Sequence, residues 1–365
     1  MEIRVKPVKL QHALLLAAHN EELLLGDTLA SAIAAGMDPR DIFVVSDGST
    51  DRTFEVALRY LPARNILNQA KAGKSRAIFN GLRRFHIATR YEWIHLADAD
   101  SVFAADYFHV FAAKLSDKYV AGTGYIECQR AGFISKYRTF EYTIGLEIGR
   151  RIQNWFGAIS VLPGATCVYR TDILDRLEFV GSMTEDMDLT IQIHRKKLGR
   201  ILYEPAARVT TQEPKNLHDY VNQISRWYRG VWQVLTRHRV GTKLQTVDGY
   251  IAYTVLQQVA MIAEIAFMVF WAWWSQNWGP VAILFLYDFV VFFGFALWAA
   301  KASGRGDIIS VFPFFYLLRF VNLFVFFRSW FEIVVQKKFQ SGFTGWTTDG
   351  RRYRIGTDAH TIITS

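Results

Sequence analysis

Cysteine is nearly missing from this 365-residue chain. Cys128 and Cys167 are the whole supply, which excludes a disulfide scaffold and a cysteine-rich zinc site. Charge is also sparse: Asp, Glu, Lys and Arg make up 21% of the residues against 51% hydrophobic ones, a balance that excludes a disordered chain. It thins furthest between residues 250 and 300, where only Glu264 and Asp288 carry charge. The apolar run at 13–18 is too short for a signal peptide or a membrane span, so the N-terminal half is expected to stay in the cytoplasm. No internal repeat or low-complexity stretch is present. What is in surplus is positive charge, +9 overall, and much of it accompanies aromatic residues. That pairing points to an anionic lipid bilayer as partner, and not to nucleic acid.

Residues 1–212 alternate short β-rich runs (13–18, 41–46, 93–97) with helical patterns (21–35, 51–61, 74–88). The rhythm predicts βαβ units and an α/β domain with a mostly parallel sheet. Ligands bind such sheets outside the carboxyl ends of the strands. Three strands run straight into polar clusters, His19-Asn20-Glu21, Asp47-Gly48-Ser49 and Asp98-Ala99-Asp100, which should meet at one edge. Residues 213–249 are dominated by an amphipathic helix at 214–239 suited to the headgroup level, and 133–157 reads as a second such helix.

Residues 250–336 form the expected membrane part. Segments 250–274 and 280–300 are each long enough to cross the hydrocarbon core as a helix. The loop between them lacks Lys and Arg while the next contains Lys301 and Arg305, which puts the first outside and the second in the cytoplasm. Segment 308–335 gathers Arg319, Asn322, Arg328, Ser329, Glu332 and Gln336 on one half of a helix. It is expected to be interfacial, re-entrant or channel-lining, with a third span as the alternative. Residues 337–365 form a basic cytoplasmic tail.

Asp98 and Asp100 at a strand end can hold a hard divalent cation with positions left for a diphosphate; alone, such a pair is as well explained as a solvated turn. Asp47 is placed to accept hydrogen bonds from a base or ribose, while Ser49 or Thr50 suits capping of the next helix. Lys71-Ala72-Gly73-Lys74-Ser75 opens a helix whose amides favour an anion, without the spacing of a P-loop. Glu185, Asp186 and Asp188 precede a helical pattern, where they are either an N-capping box or the source of a general base. Gln223, Arg226 and Trp227 share one helix face.

In order along the chain, AHNEE (18–22), DGS (47–49), GKS (73–75), DAD (98–100), PGA (163–165), TED (184–186) and QISRW (223–227), followed by membrane helices and WTTDGRR (346–352), resemble the membrane-bound family 2 glycosyltransferases. The likeness is greatest to the branch of hyaluronan, chitin and cellulose synthases and covers roughly residues 12–240. It implies a GT-A-type, Rossmann-like domain. By the resemblance, Ala18, His19, Glu21 and Asp47 surround the nucleoside with Lys74 close by. Asp98 approaches ribose and metal, and Asp100 is the principal ligand for Mg or Mn. Asp186 is the catalytic base in a set with Glu185, Gln223, Arg226 and Trp227, in which Arg226 faces the diphosphate. Residues 163–166 and Trp227 form an acceptor platform, and Trp346 with Arg351 or Arg352 belongs to a loop closing over the donor. Ala17 stands where the family commonly has Pro, and Asp47 alone replaces a frequent acid pair. The family's polymerases also commonly have membrane helices ahead of the catalytic domain, which this sequence does not show.

The activity so implied is inverting transfer of a sugar from a nucleotide-diphosphate sugar, UDP-linked by preference, to a growing β-linked polysaccharide, with homo-oligomers as one way to enclose a channel. The alternatives are a non-processive enzyme acting on a lipid acceptor and a catalytically silent membrane scaffold. The expected location is the cytoplasmic membrane, multi-pass, with the catalytic domain in the cytoplasm.

Overall fold

The computed structural model describes residues 12–338, apart from 131 and 180. The WTTDGRR segment and its Trp346, Arg351 and Arg352 lie outside the described residues. In chain order the elements are β1 (His12–Ala18), α1 (Leu25–Ala34), β2 (Ile42–Asp47), α2 (Thr53–Tyr60), β3 (Ile66–Gln69), α3 (Lys74–Arg84), α4 (Ile87–Arg90), β4 (Trp93–Asp98), β5 (Val102–Phe103) and α5 (Tyr107–Lys114). There follow β6 (Tyr119–Cys128), α6 (Gly132–Ile144), α7 (Arg151–Phe156), β7 (Cys167–Arg170), α8 (Glu185–Arg195), β8 (Arg200–Thr211), α9 (Leu217–Arg237), α10 (Thr246–Ser275), α11 (Gly279–Ala302) and α12 (Phe312–Trp330).

One eight-stranded sheet runs β3-β2-β1-β4-β7-β6-β8-β5. Its first four strands are parallel, as the βαβ rhythm predicts. Beyond β4 the sheet is mixed, because β7 pairs antiparallel with both β4 and β6, while β6 pairs parallel with β8. Strands β1 and β2 are buried along nearly their whole length, which is why they read as unbroken apolar runs and not as alternating ones. The polar clusters do meet at the carboxyl edge: His19 Nδ1 lies 2.7 Å from the Asp47 carbonyl, and the β1–α1 and β4–β5 turns border a common cavity.

The stretch 133–157 is a helix with a π-helical turn, Gly145–Arg150, between α6 and α7. It ends in Ile152, Trp155 and Phe156, which are 42%, 79% and 58% exposed. Helices α10 and α11, and the stretch Gly306–Val335 that contains α12, are long and apolar enough to cross a membrane.

Much of the polar half of segment 308–335 faces protein, although Arg328 and Gln336 are exposed. Asn322 bonds to Tyr137, Glu141 and Tyr220, Glu332 pairs with Arg229 at 2.6 Å, and the Trp232 indole donates to the Phe326 carbonyl. Arg319 pairs with Asp288 of α11 at 2.7 Å, so the two charges embedded in apolar helices neutralise each other. A second apolar core joins α6, α9, α11 and α12 through Ile134, Phe140, Ile224, Ala299 and Phe315.

Candidate active site

Asp47 is wholly buried, and its carboxylate organises the loop before α3. Oδ1 accepts from the Ala72 amide at 2.7 Å and from Gln69 Nε2 at 2.8 Å; Oδ2 accepts from the Gly73 amide at 2.8 Å. Two of the amides that the sequence offers to an outside anion are therefore taken by the protein's own. Gly48 follows with φ of 64°, and a Cβ there would meet the Lys71 amide nitrogen at 2.6 Å, so the close crossing of the two loops requires glycine. The expected capping by Ser49 or Thr50 is not what forms. Ser49 accepts the Asn20 amide, Thr50 donates to the Asn20 side chain, and Asp51 receives the Thr53 amide at the start of α2.

With that loop fixed, α3 begins at Lys74, and its ammonium enters the cavity between two acids. It lies 2.6 Å from Asp98 and 2.7 Å from Glu185. Burial works against its charge, but Asp98, Glu185 and Asp186 together outweigh it and raise the ammonium well above the ordinary lysine range. The neighbouring turn allows this only because residue 164 is glycine: a Cβ there would stand 2.6 Å from Lys74 Nζ.

The three acids of the TED region divide their labour. Glu185 holds Lys74. Asp186 accepts from the Gly164 amide at 3.3 Å and from its own helix at Met187, and it borders the cavity. Burial and the adjacent Glu185 push its carboxyl up to about 6, against the opposing pull of Lys74. Asp188 points away, buried against His238 at 2.9 Å and Gln192 at 2.7 Å, and locks α8 to the end of α9. The N-capping-box reading does not hold, since Thr184 makes no side-chain cap.

These groups line one cavity of about 390 Å³. The lining includes Glu21, Lys74, Asp98, Asp100, Asp186, the 163–165 turn, and Gln223, Arg226 and Trp227 of α9. Ile126, Leu146, Val161, Met187 and Val231 add apolar lining. Ala18 and His19 stand just behind, both buried, with His19 Nε2 at 3.2 Å from Lys71 Nζ. Of the site residues expected from sequence, Glu21, Lys74, Asp98, Asp100, Glu185, Asp186, Gln223, Arg226 and Trp227 line this cavity; Ala18, His19 and Asp47 do not, and Trp346, Arg351 and Arg352 lie outside the described residues. What sequence reasoning missed is the cluster of buried Arg138 and Glu213 with half-buried Glu141, in which Arg138 bonds to Gln223 and stacks near Trp227. Helix α6 reads as an ordinary amphipathic surface, and nothing local marks those residues.

The family model for glycosyltransferase like family 2 matches residues 11–230, more than half of the chain. The chain is a member of glycosyltransferase family 2. Among curated family 2 relatives, poly-beta-1,6-N-acetyl-D-glucosamine synthase of Staphylococcus aureus (strain COL) is 26% identical over 231 residues, 61% of this chain and 55% of that protein. The Staphylococcus epidermidis synthase is 25% identical over 264 residues, 70% of this chain and 62% of that one. The chain therefore spans less than two thirds of the length of these relatives. Among solved structures, the mannosyltransferase PcManGT from Pyrobaculum calidifontis in complex with GDP-Man and Mn2+ superposes with a TM-score of 0.58 at 16% identity, over 82% of this chain and 86% of that one. The fold is GT-A-type, followed by three long apolar helices.

Proposed function

We propose that this family 2 enzyme is a membrane-seated inverting glycosyltransferase that moves a sugar from a UDP-sugar to a growing β-linked polysaccharide at the cytoplasmic face. The observation that carries this reading is the joining of Asp98 and Asp100, Asp186, and Gln223-Arg226-Trp227 around one cavity. The acceptor hydroxyl enters from the apolar α9 side. Its proton passes to Asp186 as its oxygen bonds to the anomeric carbon, and the bond from that carbon to the diphosphate breaks in line, with the electron pair leaving on the nucleoside diphosphate. A single displacement inverts the anomeric centre, so an α-linked donor gives a β-linked product. Arg226 faces the departing charge, while the fixed ammonium of Lys74 keeps Asp98, Glu185 and Asp186 from repelling one another.

The donor set suits a divalent cation of the Mg or Mn kind. Among the described residues no three His, Cys, Asp or Glu groups converge as a closed metal cage, and a hard cation of this type is commonly held by one or two carboxylates plus substrate phosphates. Asp98, whose side chain is 38% exposed, and Asp100 would supply those two carboxylates. When bound, the cation contributes positive charge at the diphosphate. In this reading His19 and Glu21 hold the nucleoside beside the loop that Asp47 fixes from within, and α7, α9 and α12 rest at the bilayer surface, with α10 and α11 crossing.

Protein in lipid is supplied with a panel of nucleotide sugars and Mg or Mn, beginning with UDP-N-acetylglucosamine because of the curated relatives, and nucleoside diphosphate release and product length are measured. Polymer formation that disappears in Asp186→Asn while nucleotide binding persists is the expected result. A glycolipid carrying one sugar would overturn the polymer assignment, and no release from any donor would overturn the reaction.

A further inference from the structure

Arg138 of α6 is 4% exposed and takes no part in the steps above. Its guanidinium donates to Gln223 Oε1 at 2.6 Å, pairs with Glu141 at 2.9 Å and Glu213 at 3.4 Å, and lies 4.6 Å from the centre of the Trp227 ring and 4.8 Å from that of Tyr220. A buried charge persists only when paired, and a planar fork that also stacks fixes the direction of each partner. Two of its partners are the first and last residues of QISRW, the α9 segment that walls the cavity.

On the far side of Glu141 stands Asn322, in the middle of the apolar helix α12. Its amide donates to Glu141 Oε1 at 2.7 Å and to the Tyr137 hydroxyl at 3.0 Å, and its carbonyl accepts from the Tyr220 hydroxyl at 2.5 Å. A polar side chain in such a helix is costly unless satisfied. Two of these partners, Glu141 and Tyr220, also touch the Arg138 guanidinium, and the third, Tyr137, packs edge-on against Tyr220. We propose, on the basis of the transfer reaction above, that Arg138 is a positioning residue that sets Gln223 and Trp227 for the acceptor, and that Asn322 ties this setting to α12. None of the hydrogen bonds, ion pairs and ring contacts just named involves β2, β4 or the α3 loop, which build the donor side.

The test uses the full chain in lipid, labelled with 5-fluorotryptophan, with the Trp227 resonance identified by Trp227→Phe. Arg138→Lys keeps a charge for Glu141 and Glu213 but loses the fork and the stacking plane, and Asn322→Leu removes the tie alone. Both variants should move the Trp227 resonance. Acceptor kcat/KM should fall about 100-fold in Arg138→Lys and about fivefold in Asn322→Leu, with donor KM and donor hydrolysis held within about twofold. Asn322→Gln should recover part of the loss. An unmoved resonance in both variants would overturn the proposal, as would donor KM, acceptor kinetics and thermal midpoint all declining together. Wild-type protein that releases no nucleoside diphosphate would sink the reaction instead, and the resonance would still decide the positioning.

Discussion

Burial and the neighbouring Glu185 both disfavour charge on Asp186, and its carboxyl is pushed up to about 6 although Lys74 and the Met187 amide oppose them. A base works only when unprotonated, so kcat/KM should rise through pH 6 and fall by about tenfold per pH unit below it, as read in a pH–rate profile of the free enzyme. Replacing Lys74 by Met removes the cation from between Asp98 and Glu185, which should carry the rising limb to higher pH as well as lower the plateau. An unmoved limb in Lys74→Met would mean that the limb belongs to another group. At this scale the sequence was most legible where a motif ends a strand: Asp98, Asp100 and Asp47 could be placed on one edge by topology alone. The pairing of Lys74 with both Asp98 and Glu185 was hidden, because it depends on a contact between segments 24 and 111 residues apart.

Helices α8 and α10 are joined by one acid. Asp248, 2% exposed, takes both arms of Arg195 at 2.7 Å and the amides of Gly241 and Gln245, and the Arg195 bonds hold its carboxyl down to about 2. Asp248→Asn leaves Arg195 without its counter-charge and should cost about 3 kcal/mol, measured as a lower thermal midpoint in detergent. The native carboxyl is depressed relative to the unfolded chain, so this stabilisation is complete at neutral pH and is lost only as pH falls from about 4 to about 2. The gap between wild type and variant should therefore stay constant between about pH 6 and 8. Periodicity identified β1, β2 and β4 and the amphipathic helices. It missed β3 and β5, which are only four and two residues long, and β6, β7 and β8, because the mixed half of the sheet has no βαβ rhythm to announce it. The polar half of α12 was legible as a pattern. That Asn322 and Glu332 bond to α6 and α9 is a tertiary fact.

The proposed seating on a bilayer is tested at α7, where Ile152, Trp155 and Phe156 stand exposed beside the start of α10, linked to it by Gln153 bonding to the Tyr250 hydroxyl at 3.0 Å. In that proposal these side chains lie at the headgroup level. Both native cysteines are buried, so Trp155→Cys provides a selectively labelled site. A fluorophore there should be quenched by lipids brominated near the headgroup, and fluorescence indifferent to them would place the catalytic layer clear of the bilayer. The composition alone suggested a greasy, basic chain, and the structure sorts that surplus: the apolar residues fill a sheet core, a second core and the outward faces of α10 and α11.

The second core, shared by α6, α9, α11 and α12, makes the catalytic half depend on the helices that follow it. If the chain were cut after residue 240, Tyr220, Ile224 and Phe140 would lose their apolar cover, and Glu141 and Tyr137 their bonds to Asn322. A catalytic half so truncated would carry that apolar surface exposed, and a change in α12 reaches the packing of α6 and α9.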